Sequence, residues 1–346
     1  MQTTFAPLNA AAALTYVGVI ATVGLISHTR VDTLPVDASV ISGSLQASYE
    51  DAFKAANPLQ DFAISLSAAT KLGLFNQASD GALFGKDGWM FTAEELETSP
   101  DFAANMQAAA EQVGDVQTEL EKRGVQLLVV AVPDKAEIYQ EKLGFDRPSQ
   151  VQARYAAFLR LLEDNKVDHV NALAALEAAK PVGPVFMRDD THWSPLGAES
   201  VATVIGRHLF RADIVRADVS TVPLNTEIFD GDLLAYAPTG VLRQVVGPAQ
   251  DHLSRFETTV DAPMGLFGEA PVDVALIGTS FSAKREWHFE GFLKQALQAD
   301  VLNFSQEGQG PFAPMKAFLE GDLLQTNPPK IVIWEIPVRY VSKEAK

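Results

Sequence analysis

The chain is organised around the stretch VALIGTSFS, which occupies residues 274–282. An apolar run ends there in Gly278-Thr279-Ser280, and a helical pattern follows it. A buried strand that turns sharply into a helix holds a serine hydroxyl at the carboxyl edge of a parallel sheet. The stretch therefore predicts an α/β fold in which Ser280 is a candidate nucleophile.

A second stretch, MRDDTHWS at residues 187–194, carries the other groups that a serine enzyme needs. Asp190 and His192 lie two positions apart on a loop that Pro195 bounds. A histidine next to a serine acts as general base, and a carboxylate orients the histidine and stabilises its cation. Small Gly-Thr-Ser turns and Asp-x-His loops are each common, so it is their combination that predicts a triad with Ser280.

Strands and helices alternate along most of the chain. Strands are predicted at residues 125–132, 167–170, 273–277, 300–304 and 330–337, and helices at 102–123, 149–163, 173–179, 195–210, 280–297 and 312–323. Continuous apolar strands are typical of a parallel sheet that is buried on both faces. The alternation predicts a three-layer α/β/α fold with a mostly parallel sheet. Residues 211–270 interrupt it with several prolines and glycines, which predicts a mostly β or irregular insertion.

The composition excludes several kinds of site. The chain is 47% hydrophobic and 21% charged, which is enough for a sizeable core. It has no cysteine, so disulfides and thiolate metal or nucleophile sites are excluded. Its net charge of −17 argues against a general basic surface for nucleic acid. No metal or cofactor is predicted, and Asp230-Gly231-Asp232 is interpreted as a turn rather than a metal loop.

The amino terminus determines the predicted domain organisation. No charged side chain occurs between Phe5 and Ser27, and about 20 apolar residues are enough to cross a bilayer. We expect residues 1–30 to form an uncleaved membrane anchor, residues 31–80 a linker with helices, and residues 81–346 the catalytic domain. A cleaved secretory signal and a buried amino-terminal helix are the alternatives.

Loops that follow the predicted strands supply further candidates, because ligands of open α/β sheets bind at the carboxyl ends of the strands. Lys135 and Arg339 follow two of the strands and are candidates for substrate contact or for surface salt bridges. Gly308 and Gly310 lie on a flexible loop after another strand. We expect an oxyanion hole made of the Ser280 backbone N–H and one N–H of the 308–310 loop.

Trp193 directly follows the candidate base, and two interpretations of it are open. The indole is either a platform on which a sugar ring stacks or a wall that seats the His192 ring. The first interpretation makes Trp193 a candidate substrate-binding residue.

Five segments in this order resemble one known family. They are GKDGWMF at residues 85–91, VPDKAEIY at 132–139, DTHWS at 190–194, GTSFS at 278–282 and WEIPVRY at 334–340. The set resembles the periplasmic alginate O-acetyltransferase family, the AlgJ/AlgX-like branch of the SGNH hydrolases, over about residues 80–342. The resemblance implies a circularly permuted SGNH fold, because the Asp/His pair precedes the serine. It also implies that Ser280 is the nucleophile, His192 the base and Asp190 the orienting acid.

The resemblance further implies a reaction and a place for it. Acetyl groups would pass through an acyl-enzyme to hydroxyls of an exported polysaccharide, after delivery by a membrane-bound O-acyltransferase partner. The protein would be a single-pass protein of the inner membrane with its catalytic domain in the periplasm, and it would need no cofactor. Two alternatives share part of this interpretation: a carbohydrate esterase with the same triad, and a non-catalytic polysaccharide-binding subunit.

The net charge conflicts with a polyanionic acceptor such as alginate. Long-range repulsion between a chain of charge −17 and a polyanion slows their encounter. Either a local basic groove exists, with Lys135, Arg188 and Arg339 as candidates, or the acceptor is a less charged polymer.

Overall fold

The computed structural model describes residues 6–31, 41–75, 77–248, 250–261, 264–265, 268–269 and 272–343. The helices are α1 Ala6–Thr29, α2 Ser44–Ala55, α3 Gln60–Phe75, α4 Phe102–Glu121, α5 Lys135–Ile138, α6 Gln140–Leu143, α7 Ser149–Asp164, α8 Ala172–Ala179, α9 Pro195–His208, α10 Arg243–Val246, α11 Ser280–Ala283, α12 Phe289–Leu297, α13 Phe312–Glu320 and α14 Leu323–Thr326. The strands are β1 Ala82–Phe84, β2 Met90–Thr92, β3 Gln126–Val132, β4 His169–Asn171, β5 Asp218–Phe229, β6 Asp251–Asp261, β7 Met264–Gly265, β8 Gly268–Glu269, β9 Val274–Ile277, β10 Leu302–Asn303 and β11 Ile331–Pro337.

The chain divides into two compact units. One comprises Met1–Asn76 and Ala237–Gly247, and the other comprises Gln77–Tyr236 and Pro248–Lys346. The described part of the first unit is helical and contains α1, α2, α3 and α10. The sheet and all candidate site residues belong to the second unit. The assignment of residues 237–247 to the first unit was not foreseen, because the sequence there shows only an irregular pattern.

Helix α1 occupies the stretch that was predicted to be a membrane anchor. Within the part of the chain that the structure describes, no helix is both long and apolar enough to span a membrane, so the predicted transmembrane segment was not found. Residues 1–5 and the side chains of residues 6–12, on which that prediction also depends, lie outside the described part.

A five-stranded sheet forms the centre of the second unit. Its strand order is β10–β9–β11–β3–β4, and every neighbouring pair is parallel. Alternate residues of a strand face opposite sides of the sheet. In β11, Ile331 and Ile333 contribute to one hydrophobic core, whereas Val332 and Trp334 contribute to the other. Helices α8, α9 and α12 cover the first face, and α4, α7 and α13 cover the second. The predicted α/β fold with a parallel sheet is therefore confirmed.

The region predicted as an insertion contains a two-stranded antiparallel ribbon separate from the main sheet. Strands β5 and β6 pair over most of their length, with a register shift between Pro223 and Thr226. Leu253 of β6 belongs to the core on the α9 and α12 face, and Phe229 and Phe256 pack against that core. The ribbon is thereby fixed to the same side of the sheet as the helix that follows Ser280.

The three central strands bring three loops to one edge of the sheet. Because β9, β11 and β3 are adjacent and parallel, their carboxyl ends lie together. The loops that leave there begin at Gly278, Val338 and Pro133. The loop of residues 187–194 reaches the small β1–β2 hairpin, where the Met90 N–H donates a hydrogen bond to the Arg188 carbonyl at 2.8 Å.

Candidate active site

The three residues of the predicted triad lie within hydrogen-bond distance of one another. His192 Nε2 is 2.6 Å from Ser280 Oγ, and His192 Nδ1 is 2.7 Å from Asp190 Oδ1. An Nδ1–H that donates to Asp190 leaves Nε2 free to accept the serine proton. His192 is only 4% exposed, whereas Ser280 is half-buried and thus open to a substrate. The arrangement can activate a serine hydroxyl for attack on an acyl carbon.

The turn that presents Ser280 depends on a close approach of two strands. A Cβ at Gly278 would lie 2.4 Å from Glu335 Oε2, so only glycine fits there. Thr279 caps α11, and its Oγ1 accepts a hydrogen bond from the Phe281 N–H at 3.3 Å. Ser280 is the first residue of α11, and an N–H at that position has no intrahelical acceptor. No described residue accepts a hydrogen bond from this N–H, so it can take the predicted role in an oxyanion hole.

Glu335 fixes this turn from the neighbouring strand and was not among the predicted site residues. It is 0% exposed on β11. Its carboxylate accepts hydrogen bonds from the Thr279 N–H at 2.7 Å, from Thr279 Oγ1 at 3.0 Å and from Ser282 Oγ at 3.1 Å. Burial raises the pKa of Glu335 to about 7, although these donors oppose the shift. A single acidic residue in the apolar run 331–337 was the signal that could have revealed it.

Asp190 is held by hydrogen bonds on both carboxylate oxygens. Its Oδ1 accepts from the His192 backbone N–H at 2.9 Å as well as from the ring, and its Oδ2 accepts from the Asp232 N–H at 2.9 Å. Burial favours the neutral form, but the hydrogen bond and the charge of His192 outweigh it and lower the pKa of Asp190. Asp190 is therefore ionised when it orients the histidine.

Asp232 is a second carboxylate at the triad. Its Oδ2 lies 3.7 Å from His192 Nδ1, and its Oδ1 accepts from the Thr191 N–H at 2.8 Å. Gly231 permits this placement, because a Cβ there would be 2.2 Å from the Asp189 carbonyl oxygen. Although the Asp232 side chain is 38% exposed, desolvation of its carboxyl and then the charge of Asp190 raise its pKa. The turn predicted at residues 230–232 thus supplies a site residue that was not predicted from the sequence.

Asp190, His192 and Asp232 are also close enough to be considered as metal ligands. One donor atom from each lies within 4.8 Å of the others. These side chains, however, are already engaged: His192 Nδ1 lies 2.7 Å from Asp190 Oδ1, and Asp232 Oδ1 accepts hydrogen bonds from the Thr191 N–H and hydroxyl. Acidic residues beside a histidine are what a triad needs, so we assign the cluster to the orientation of His192.

Aromatic rings form the wall around His192. The Trp287 ring stacks on the imidazole with centroids 5.3 Å apart and planes 21° apart, and the Phe281 ring lies 4.7 Å away. Trp193 is 0% exposed, and its Nε1–H donates to the Phe281 carbonyl at 3.1 Å. A buried indole cannot stack on a sugar, so the platform interpretation is contradicted; Trp193 instead packs on Phe281, the ring that lies against His192, with centroids 5.1 Å apart.

Lys135 lies under the triad loop rather than on the surface. Its side chain is 0% exposed, and its ammonium donates to the carbonyls of Met90, Arg188 at 2.8 Å and Asp190 at 3.0 Å. Burial lowers the pKa of Lys135 to about 8. The structure places this residue out of reach of a substrate, contrary to the predicted contact, and gives it the role of tying the Asp190 loop to β2.

Arg339 is likewise buried. Its guanidinium lies 5.3 Å from the centroid of the Phe281 ring and 5.0 Å from that of Tyr340, and its Nε is 3.6 Å from Glu94. It therefore supports the residue that follows Ser280 instead of facing a substrate. The predicted contact of Arg339 with a substrate is therefore contradicted by its burial.

The basic groove proposed from these cations does not form. Lys135 and Arg339 are buried, and Arg188 Nε is paired with Asp251 Oδ1 at 2.7 Å. Any cationic surface for an acceptor must therefore be made of other residues.

The loop of Gly308 and Gly310 lines a different groove. Both glycines have positive φ angles, 72° and 65°, which suits a tight turn. The groove has a volume of about 370 Å³ and is also lined by Glu94 and Tyr340, but not by Ser280. The contribution of this loop to an oxyanion hole stays a prediction.

The chain resembles proteins of known family. The family of the "SGNH hydrolase-like domain, acetyltransferase AlgX" matches residues 82–338. A probable alginate O-acetylase AlgJ of Pseudomonas aeruginosa is 35% identical over 321 residues, covering 88% of this chain and 82% of the relative. The corresponding protein of Pseudomonas putida is 33% identical and covers 94% and 86%.

Two solved structures share the fold. The O-acetyltransferase domain of Pseudomonas putida AlgJ superposes with a TM-score of 0.69 at 33% identity, covering 77% of this chain and 94% of that structure. Pseudomonas aeruginosa AlgX superposes with a TM-score of 0.58 at 24% identity, covering 76% and 64%. The second likeness concerns the fold alone.

Proposed function

We propose that this chain, which belongs to the family of SGNH hydrolase-like acetyltransferase AlgX domains, transfers acetyl groups to hydroxyls of a polysaccharide through an acetyl-enzyme on Ser280. The observation that carries the proposal is the contact of His192 with both partners, 2.6 Å to Ser280 Oγ and 2.7 Å to Asp190 Oδ1. A serine, a histidine and a carboxylate in this order form the general base system of acyl-transfer enzymes.

In the first half of the reaction, Ser280 Oγ attacks the carbonyl carbon of the acetyl donor while His192 Nε2 takes the hydroxyl proton. The tetrahedral intermediate carries a negative oxygen, to which the Ser280 N–H donates. Loss of one such donor typically costs about 3 kcal/mol of transition-state stabilisation. His192 then returns the proton to the leaving group, and the acetyl group remains on Ser280.

In the second half, a sugar hydroxyl takes the place of the leaving group. His192 accepts its proton, the sugar oxygen attacks the acetyl carbon, and Ser280 leaves with the proton that His192 returns. Asp190 holds the ring in the required tautomer in both halves and stabilises the imidazolium between them. The Asp232 carboxyl, with Oδ2 3.7 Å from His192 Nδ1, adds to this stabilisation when it is ionised.

The acceptor we propose is an alginate-like or another exported polysaccharide. Support comes from the relatives named probable alginate O-acetylase, one of which is 35% identical over 88% of this chain. We further propose that the acetyl group comes from a membrane-bound O-acyltransferase partner and that the catalytic unit works in the periplasm, where such a polymer passes. Fractionation of cells that express the full chain, followed by immunodetection, tests this location without an activity measurement.

Transfer is distinguished from ester hydrolysis by the fate of the acetyl group. A well-oriented bound hydroxyl has an effective molarity of about 10⁵ M or more, far above that of water, so a transferase should favour a bound sugar. The purified protein is incubated with an activated acetyl ester and short oligosaccharides of a uronate polymer, and mass spectrometry measures acetylated sugar against free acetate. We expect acetylated sugar with the wild type and none with Ser280→Ala. Release of free acetate alone at saturating acceptor would make the protein an esterase.

A further inference from the structure

We propose that a groove beside the nucleophile binds the carboxylate groups of an anionic acceptor chain, an inference that rests on the proposed function. The groove has a volume of about 450 Å³, within the range of small-ligand sites. Its cationic wall includes Lys284 and Arg285, which come shortly after Ser280 in the chain. Uronic-acid units carry one carboxylate per sugar, which is the group that lysine and arginine recognise.

The groove lies beside the helix that begins at Ser280. Ser282 and Ala283 of α11 line it, so it starts one helical turn after the nucleophile. Trp287, the ring that stacks on His192, stands between the lining residues Arg285 and His288. A polymer in the groove therefore borders residues 282–285 and 288, which closely follow the serine, although Ser280 itself does not line the groove.

The β5–β6 ribbon forms the opposite wall. Phe256 and Thr258 of β6 line the groove together with His288. The Thr258 hydroxyl is 2.7 Å from His288 Nε2, so a hydrogen bond joins the two walls. Phe256 is half-buried and packs against His288, which gives the groove an apolar surface beside its charges. Sugar rings present both apolar and polar faces, and a wall of this composition suits them.

The charges in the groove are not all compensated. Its four cations are Arg255, Lys284, Arg285 and Lys294, and its two acids are Glu257 and Glu290. Arg255 pairs with Glu227 at 2.7 Å, and Lys294 pairs with Glu290 at 2.7 Å and with Asp300 at 3.0 Å, whereas Glu257 adds one negative charge to the lining.

The two remaining cations are available for a ligand. In the part of the chain that the structure describes, no acid forms an ion pair with Lys284 or Arg285. A chain of net charge −17 thus keeps, within five residues of its candidate nucleophile, two cations that no described acid pairs with, against the single acid Glu257 in the same lining. This local surface resolves the conflict between the overall charge and a polyanionic acceptor, because near the site the local field determines the encounter.

The test is a binding titration that needs no acetyl donor. Calorimetry measures the affinity of the full chain for a short oligouronate, at low and at high salt, with the wild type and with Lys284→Gln/Arg285→Gln. We expect the affinity of the wild type to fall as salt rises, and the double variant to bind about five- to tenfold more weakly at low salt.

A matched control separates the groove from the total charge of the protein. Lys316→Gln/Arg160→Gln removes the same two charges from exposed positions on α13 and α7, which cover the opposite face of the sheet. We expect this control to bind as the wild type does. Circular dichroism confirms that both double variants are folded.

Two results would overturn the proposal: equal affinities of the wild type and Lys284→Gln/Arg285→Gln, or wild-type affinity that does not respond to salt. Acetyl transfer measured separately decides the proposed function. If oligouronate binds in the groove but acetyl passes only to water, the proposed binding site is supported and the proposed transferase activity is refuted. If transfer occurs and Lys284→Gln/Arg285→Gln binds oligouronate as the wild type does, the transferase activity is supported and the proposed binding site is refuted.

Discussion

Ser280 Oγ and His192 Nε2 lie 2.6 Å apart, although 88 residues separate them in the chain. Ser280 follows the carboxyl end of β9. His192 lies on a loop that is held in place by β2, Lys135 and Asp232. The contact thus depends on the assembled unit and not on one local motif.

The first prediction concerns this contact. Ser280→Ala removes the acyl-accepting oxygen and His192→Gln removes the base, so each should lower acetyl transfer and ester hydrolysis by at least about a thousandfold. Because the two residues act as a unit, the double variant should react only slightly more slowly than either single variant. Rates with an activated acetyl ester measure this. Additive losses would show that the two residues act independently.

The second prediction compares the two carboxylates at His192. Asp190 Oδ1 is 2.7 Å from Nδ1, whereas Asp232 Oδ2 is 3.7 Å away. Asp190→Asn should lower kcat by about 10³ to 10⁴, because it removes the acceptor that fixes the tautomer. Asp232→Asn keeps that acceptor and should lower kcat only about tenfold. Equal losses in the two variants would mean that Asp232 shares the orienting role.

Much of the catalytic unit was predictable because its strands are apolar runs. β3 and β11 are buried on both faces, and such segments stand out in a sequence without any knowledge of their partners. The turn at Ser280 was predictable for the same reason, since it directly follows a run of this kind.

Asp232 was not predictable in the same way. It lies in the irregular region after Phe229, where no period indicates which residues approach the sheet edge. It reaches the triad through a close backbone contact at Gly231, and such a contact exists only in the folded chain.

Lys135 illustrates a second reason why part of the site could not be predicted from the sequence. The motif around it was recognised, but a lysine after a strand was expected to face solvent. Three backbone carbonyls from Met90, Arg188 and Asp190 satisfy its ammonium and make burial possible. These partners lie between 45 and 55 residues away in the chain, so local sequence carries no sign of them.

The third prediction follows from the burial of Lys135. Lys135→Met leaves three buried carbonyls without their donor and should lower the free energy of unfolding by about 3–5 kcal/mol. Urea titration measures this loss. Lys316→Met, at an exposed position on α13, is the matched control and should change it by less than about 0.5 kcal/mol. A Lys135→Met protein of normal stability with a raised KM would restore the substrate-contact interpretation.

The fourth prediction uses the raised pKa of Glu335, about 7 instead of the ordinary 4.5. Between these values the folded protein retains a proton that the unfolded chain has released. Stability therefore falls as pH rises through this window, by at most about 1.4 kcal/mol per pH unit. Glu335→Gln does not titrate, so the wild type should lose stability relative to this variant from pH 4.5 to 7 and then level off. Urea unfolding of both proteins across this range provides the measurement. A pH-independent difference would show that burial leaves the ionisation of Glu335 unchanged.

The fifth prediction concerns Trp193 and the fate of the acetyl group. The indole is 0% exposed, its Nε1–H donates to the Phe281 carbonyl at 3.1 Å, and its ring packs on Phe289 with centroids 4.7 Å apart. Trp193→Phe keeps an aromatic ring but leaves the Phe281 carbonyl unpaired, which should cost about 1–3 kcal/mol of stability.

Because the indole does not reach a bound sugar, Trp193→Phe should slow transfer and hydrolysis by the same factor. The ratio of acetylated oligouronate to free acetate should therefore match that of the wild type. Lys284→Gln/Arg285→Gln is the informative comparison, since weaker acceptor binding at subsaturating oligouronate lowers the share of acetyl that reaches sugar. Mass spectrometry of the products measures both ratios in one experiment. If Trp193→Phe reduced the ratio as much as the groove variant does, the acceptor would have to contact the indole during the reaction, and the wall around His192 would have to open for it.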